Sequence, residues 1–376
     1  MKASRSFHVT GFLALAVAAG CGVEPELILG PSLSVPGNES VYVWWHTSVE
    51  TGHHRVEYGN SRALGSTVEL AETTRYPQLH ITGLSADTTY FYRVRSDDLE
   101  SETYAFRTPP VDGRVKLLLF ADNQAGVDVF RGYTVPLIEA ENPHALVSAG
   151  DLVMDGNDPD QWARHLYEPA RQILSSIPWF PVRGNHDGES PLAHQMLQLP
   201  NGNQWYAMTY GPFRIVALDT NVPYTGHAPQ QRWLEAELQS EAWRQATFRI
   251  VSLHKPPFTA LWNRPDYDGE AGGRSTLVPL FESRGADLVL SGHTHGYEHG
   301  IRPRSDGGIV HYVISGGAGG RLDALPVFPW PHIEVSLSRH NILIAETTDG
   351  GLEVRAVDPL NREVLDRFTI SRRDEH

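Results

Sequence analysis

Hydrophobic and polar positions alternate at a strand-like period up to about residue 110, and the period then changes. Val41-Tyr42-Val43-Trp44-Trp45 and Arg55-Val56-Glu57-Tyr58 are rich in β-branched and aromatic residues and predict strands. Further on, Leu84 precedes a turn-forming Ser85-Ala86-Asp87, after which Tyr90, Tyr92 and Val94 fall on one face of another strand. Thr103 to Phe106 reads as a closing strand, and Thr108-Pro109-Pro110 as an exit linker. The pattern predicts an all-β sandwich over 27–110, with its aromatic residues in the core. From Arg114 onward, unbroken apolar runs at Val115–Ala121 and Ala145–Ala149 predict buried strands. Asp160–Ile173, with Trp162, Leu166, Ala170 and Ile173 about one turn apart, predicts a helix, as does Gln230–Leu238. Strands follow at Phe248–Leu253 and Leu288–Ser291, with Leu277–Phe281 on a helix between them, so 111–376 reads as α/β layering. Ile333 to Ile370 returns to short strands with turns at Asp349-Gly350-Gly351 and Asp358-Pro359.

Composition narrows the classes. A chain of 376 residues with 40% hydrophobic and 20% charged residues is an ordinary globular composition with room for roughly two domains. The formal net charge of −14, without any block rich in Lys and Arg, excludes a role in coating nucleic acid. Residues 1–26 read as a targeting segment: Lys2 and Arg5 precede the compact apolar run Gly11–Gly20. The segment ends Ala18-Ala19-Gly20-Cys21, which resembles the cleavage box of bacterial lipoproteins, although Ala18 departs from the usual larger aliphatic residue. Cys21 is the single cysteine and has no disulfide partner within the chain, which favours lipidation there. The expectation is export, with membrane attachment through lipidated Cys21 at a bacterial cell envelope, or secretion where lipidation does not occur.

Chemistry concentrates where the apolar strands of the second region end. Val115–Ala121 runs into Asp122, Ala145–Ala149 into Gly150-Asp151, and Trp179–Val182 into Arg183-Gly184-Asn185-His186-Asp187. Phe248–Leu253 ends in His254, and Leu288–Ser291 in Gly292-His293-Thr294-His295. Loops at the carboxyl ends of strands in an α/β sheet converge on one crevice. Carboxylate and carbonyl oxygens with imidazole nitrogens suit Fe, Mn or Zn. A carboxylate shared by two such ions can hold them roughly 3.5–4 Å apart, the spacing that clamps both ends of a phosphoryl displacement.

Taken in order, Asp122, Gly150-Asp151, Gly184-Asn185-His186-Asp187, Val251-x-x-His254 and Gly292-His293-x-His295 resemble the calcineurin-like metallophosphoesterase superfamily. With the sandwich, which is similar to fibronectin type III domains, and with Tyr297-Glu298 after the histidine pair, the nearest likeness is to purple acid phosphatases. The resemblance implies an N-terminal sandwich followed by an αββα domain with two sheets flanked by helices. It implies two divalent or mixed-valence transition metal ions, with Asp151 bridging. Asp122 and His295 complete the first site, and Asn185, His254 and His293 the second. His186 would then stabilise the phosphoryl transition state or protonate the leaving alcohol. The implied reaction is hydrolysis of phosphate monoesters by a metal-bound hydroxide. Phosphodiesters are the nearest alternative and depend on the loops Tyr224–Ala228 and Thr259–Arg274. A non-catalytic surface binding protein is the alternative from another class.

The chain departs from the purple enzymes at two points. Where they carry a Tyr three residues after the bridging Asp, this chain has Met154, and a thioether does not replace a phenolate on ferric iron, so a colourless enzyme is expected. Asp122-Asn123-Gln124 stands in place of Asp-x-His or Asp-x-Gly, leaving Gln124 either a carbonyl ligand of the first ion or a hydrogen-bonding neighbour. His299 is a lesser candidate for a substrate contact. His53-His54 reads as a surface loop, and Ser315–Gly320 as a close-packed turn near the site.

Overall fold

The apolar run after Arg114 becomes the strand Lys116–Phe120, whose Leu117, Leu118 and Leu119 are fully buried. It pairs in parallel with Ala145–Ser148, and such strands are covered on both faces, which accounts for the absence of alternation in both segments. In the computed structural model of the chain, residues 24–373 are described apart from 112, 125, 198, 201–203, 264–265 and 324–327. Cys21 therefore lies outside the described residues. Among the described residues no helix is long and apolar enough to cross a membrane.

Two large sheets stack with helices around them. The first has nine strands, in the order Val364–Ser371, Gly351–Val357, Ile342–Thr348, Lys116–Phe120, Ala145–Ser148, Trp179–Phe180, Leu27–Ser34, Ser40–Thr47 and Gln78–Thr82. The second has seven, with Tyr206–Tyr210 and Phe213–Ala217 at one side, Phe248–Ser252 and Leu288–Ser291 in the middle, and Ile309–Ser315, Tyr297–Pro303 and Ile333–Leu337 beyond. Leu117, Leu119, Leu146, Ile250, Leu288 and Leu290 belong to one buried cluster between them. A five-stranded sheet, built on His54–Gly59 and Thr89–Ser96, faces the N-terminal strands of the first sheet across Val43, Trp45, Val56, Tyr92 and Val94.

One feature of this arrangement was not visible in the sequence. The sandwich is not strung on a linker: its first strand pairs in parallel with Trp179, through Ser34 opposite Trp179 and a 2.8 Å bond from Val35 N to Trp179 O. Trp44 meets Tyr167 edge-on at 4.8 Å, and the buried hydroxyl of Tyr92 donates to the carbonyl of Ser175 at 2.8 Å. Trp179–Phe180 is thus flanked by Ala145–Ser148 on one side and the sandwich on the other, immediately before the loop that carries Asn185 and His186.

Two local expectations are corrected. The helix expected over Asp160–Ile173 is broken into Pro159–Gln161, a wider coil at Trp162–Tyr167, and Arg171–Leu174. The apolar positions one turn apart are buried as the period requires, but the wider coil in the middle interrupts the regular helix. His54 is not in a surface loop: it opens a strand, is buried, and shares a 2.7 Å hydrogen bond with the hydroxyl of Ser96.

Candidate active site

Three of the candidate side chains sit on residues held at positive φ. Asp122, Asp151 and His293 adopt φ of 60°, 52° and 68°, a region that side chains other than glycine enter at a cost and that clusters at functional sites. Each follows directly on a buried strand or its glycine, so the chain reverses sharply and turns the side chain into the crevice between strand ends. The glycines make room for this. A Cβ on Gly184 would lie 2.2 Å from both the backbone N and Oδ1 of Asp151, and one on Gly292 would lie 2.4 Å from Asp122 Oδ2.

The ligand-capable atoms of Asp151, His254 and His293 lie within 4.8 Å of one another. Asp151 Oδ2 is 3.2 Å from His254 Nε2, which is also 3.1 Å from Asn185 Oδ1. His254 Nδ1 bonds to the carbonyl of Ala149 at 2.8 Å, and His295 Nδ1 to that of Arg321 at 2.6 Å. A carbonyl only accepts, so both rings carry a proton on Nδ1, and Nε2 is the nitrogen each would offer a metal on losing its own proton. His295 Nε2 lies 3.5 Å from Asp122 Oδ1, and Asp122 accepts from the backbone N of His293 at 2.9 Å. The structure thus brings Asp122 together with His295, and Asp151 together with Asn185, His254 and His293. His186 stands beside them, its backbone N donating to Asp151 Oδ1 at 2.8 Å and its Nδ1 3.0 Å from the carbonyl of Met154.

The carboxylates and imidazoles of the crevice shift one another strongly. Burial alone would lower His254, but Asp151 and Asp122 outweigh it and carry the ring up to about 9; burial likewise opposes, and Asp122 outweighs, in raising His295 to about 9. Burial acts to raise Asp151, yet His254 and His186 hold it down at about 2. Loss of solvent and the neighbouring His254 push His293 well below the usual imidazole range. A donor set of two carboxylates, one carboxamide and three imidazoles fits transition-metal cations.

Several supporting residues escaped the sequence reading because their roles depend on loops meeting in space. Asp187, fully buried, accepts from the backbone N of Gly184 at 2.7 Å, Leu152 at 2.8 Å, Asp151 at 3.0 Å and Val153 at 3.2 Å. Burial and the nearby Asp151 push its carboxyl up to about 7, against the pull of those N–H groups. Arg183 and Asp219 form a buried ion pair beneath Gly184. Trp262, on the loop Thr259–Arg274, stacks on His293 with ring centroids 5.0 Å apart, and Tyr267 meets the same ring edge-on at 5.2 Å. Asp323 accepts from His295 N at 2.9 Å and from the amide of Asn263, tying that loop to the histidine pair. The signal available in sequence was only the aromatic content of a loop next to a motif.

Other expectations resolve differently. Met154 is 40% exposed, with its side chain at the surface. The glycine-rich Ser315–Gly320 does pack against the site, Gly320 N bonding to Asp122 O at 2.8 Å and Ala318 N to Ala121 O at 3.1 Å. His299 is not a substrate contact. It is buried between the sheets, bonded to Asp366 at 2.8 Å and His311 at 3.0 Å and stacked on Phe368.

Several known proteins are similar to this chain. Residues 115–297 match the calcineurin-like phosphoesterase family, and residues 29–108 match the purple acid phosphatase N-terminal domain. The sequence is 27% identical to an uncharacterized protein of Mycobacterium tuberculosis, over 78% of this chain and 69% of that one. It is 26% identical to purple acid phosphatase 18 of Arabidopsis thaliana, over 78% of this chain and 71% of that one. The fold is similar to that of a purple acid phosphatase from yellow lupin seeds, with a TM-score of 0.80 at 18% identity, covering 92% of this chain and 74% of that one.

Proposed function

Carrying a calcineurin-like phosphoesterase domain behind a purple acid phosphatase N-terminal domain, this chain is a phosphoesterase, and we propose that it hydrolyses phosphate monoesters at a two-metal centre held by its own side chains. The observation that carries the reading is the position of Asp151, whose Oδ2 is 3.2 Å from His254 Nε2 and 3.3 Å from the Gln124 amide nitrogen, itself 3.1 Å from His295 Nε2, so that it lies between the two groups of donors. In this reading Asp122, Asp151 and His295 hold one ion, and Asp151, Asn185, His254 and His293 the other. Two such ions, when bound, supply the concentrated positive charge and the acidified water that an in-line phosphoryl displacement uses. The protein's own part is orientation and proton transfer. His186 is fixed through Nδ1 by the carbonyl of Met154, so its Nε2 serves the ester: protonated, it donates to a phosphoryl oxygen or to the departing alcohol. Export and lipidation at Cys21 rest on residues 1–21 and complete the proposal as a cell-envelope enzyme.

Replacement of His186 with Ala is expected to lower kcat about 10²–10⁴-fold, the usual span for a general acid, while metal content stays at the wild-type value. Kinetics with an aryl phosphate, run beside elemental analysis, check both halves. The wild-type protein should turn over an aryl phosphate faster than its bis-aryl diester, carry divalent ions and be colourless, because Met154 offers no phenolate. A strong visible charge-transfer band would refute the last point, and a faster diester would reverse the first.

A further inference from the structure

At the end of the second sheet opposite the catalytic crevice lies a cleft of about 780 Å³ with cationic walls. The parallel strands Phe248–Ser252 and Leu288–Ser291 start at this end and run toward His254 and His293. At about 3.3 Å per residue, the stretch from Arg249 to His254 separates the two places by roughly 15 Å. Three chain segments bring arginines to the cleft: Arg244 and Arg249 around the start of Phe248–Ser252, Arg304 just after Tyr297–Pro303, and Arg372 and Arg373 just after Val364–Ser371. Two carboxylates answer them. Asp287, 2% exposed, accepts from Arg373 Nη2 at 2.6 Å, from Arg304 and from the backbone N of Arg249 at 2.8 Å. Asp306 accepts from Arg304 Nε at 2.9 Å. Among the described residues the guanidinium groups of Arg244, Arg249 and Arg372 form no ion pair and donate to carbonyls instead: Gln239 at 2.7 Å, Arg244 at 2.8 Å and Thr348 at 3.2 Å respectively. Five positive charges therefore meet two negative ones, in a chain whose formal net charge is −14.

The excess is felt inside the cluster. Burial, with Arg373 and Arg304 close by, brings Arg249 down to about 10 against the pull of Asp287. Like charges held together at such a place repel, and an anion entering among them relieves the repulsion. Planar guanidinium forks match the paired oxygens of a phosphate group, each such bond being charge-assisted on both sides. The groups are also recessed, Arg304 and Arg373 having side chains only 12% and 20% exposed, so a small anion in solution reaches them where a flat membrane surface does not. We propose that this cleft is a second anion site, which takes free inorganic phosphate or a small phosphorylated molecule at a distance from the catalytic crevice. The assignment stands on the arginine cluster alone and does not depend on the metal content of the enzyme.

Calorimetric titration of the purified enzyme with inorganic phosphate at low ionic strength tests it, beside the constant for competitive inhibition of aryl phosphate hydrolysis by phosphate. The inhibition constant reads the catalytic crevice, and calorimetry reads every site. Arg244→Gln/Arg372→Gln removes two charges at exposed positions that do not touch Asp287, so the fold is kept. In that variant one calorimetric phosphate site should weaken about 10–100-fold, the span of a hydrogen bond to a charged group, while the inhibition constant stays at the wild-type value. Arg249→Gln should weaken the same site by a similar factor. Phosphate binding in Arg244→Gln/Arg372→Gln that matches wild type overturns the proposal, as does a wild-type titration accounted for by the inhibitory site alone. Cys21→Ser protein, free of lipid, that is held on phosphatidylglycerol vesicles but binds no phosphate outside the inhibitory site assigns the charge to a membrane surface, and overturns it as well.

Discussion

Asp151→Ala is expected to leave a folded chain that retains at most one metal ion and hydrolyses phosphate esters about 10³-fold or more slowly. The magnitude follows from charge: a metal acting as a Lewis acid contributes several kcal/mol to the transition state, and each 1.36 kcal/mol is a decade in rate. Asp151 Oδ2 faces His254 and the Gln124 amide, and its Oδ1 accepts from the backbone of His186 at 2.8 Å. Alanine removes the one group that faces both halves. Because the backbone there is at φ 52°, it also exchanges a residue tolerant of the left-handed region for one less so, which adds a small loss of stability. Elemental analysis and kcat/KM for an aryl phosphate read the outcome; two retained ions with activity within tenfold of wild type would remove Asp151 from its bridging role.

Asp187→Ala should be the most destabilising single change near the site, by about 4 kcal/mol or more, against a total stability that for most domains is about 5–15 kcal/mol. The carboxylate collects the backbone N–H groups of Gly184, Asp151, Leu152 and Val153, all in a place closed to water. Each donor left buried without a partner costs about 1–3 kcal/mol, and relief of the repulsion between Asp187 and Asp151 returns only part of that. Urea denaturation of the metal-free protein gives the stability change directly. Asp187→Asn keeps an acceptor oxygen but turns an amide N–H₂ toward backbone N–H groups, so it should fall between wild type and the alanine variant. An Asp187→Ala protein within 1 kcal/mol of wild type would contradict the accounting.

These two residues also mark how far the sequence could be read. Asp151 was legible because its signal is local: an apolar strand, a glycine and a carboxylate, repeated in kind at Asp122, Asn185, His254 and His293. Strand-end placement follows from hydrophobic runs, and runs are what a sequence displays directly. Asp187 was visible as a letter beside His186, but its task is to knit two loops separated by more than thirty positions, which no period or spacing encodes. Trp262 and Tyr267 were hidden for the same reason, lying in a loop whose path is set by Asn263 reaching Asp323. Isolated histidines were the least legible. His54 and His299 carry no pattern around them, and both proved to be buried and hydrogen-bonded, to Ser96 in one case and to Asp366 and His311 in the other. The expected helix at Asp160–Ile173 shows the limit of periodicity itself: the buried face was right, and the continuous axis was not.

The parallel pairing of Ser34 with Trp179 has a mechanical meaning. Trp179–Phe180 is a two-residue strand, too short to hold its position by its own ladder, and it delivers the chain straight to Gly184-Asn185-His186. Leu27–Ser34 acts as its splint. Stripped of that neighbour, the strand would become a raw sheet edge, free to fray or to recruit a foreign chain, and the loop beyond it would lose its footing. The N-terminal sandwich is therefore in series with the catalytic loop, and a force or a ligand that displaces the sandwich is transmitted to Asn185 and His186. A chain built this way cannot exchange its first domain as a detachable adapter, and whatever role the sandwich acquires is exercised with one hand on the active site.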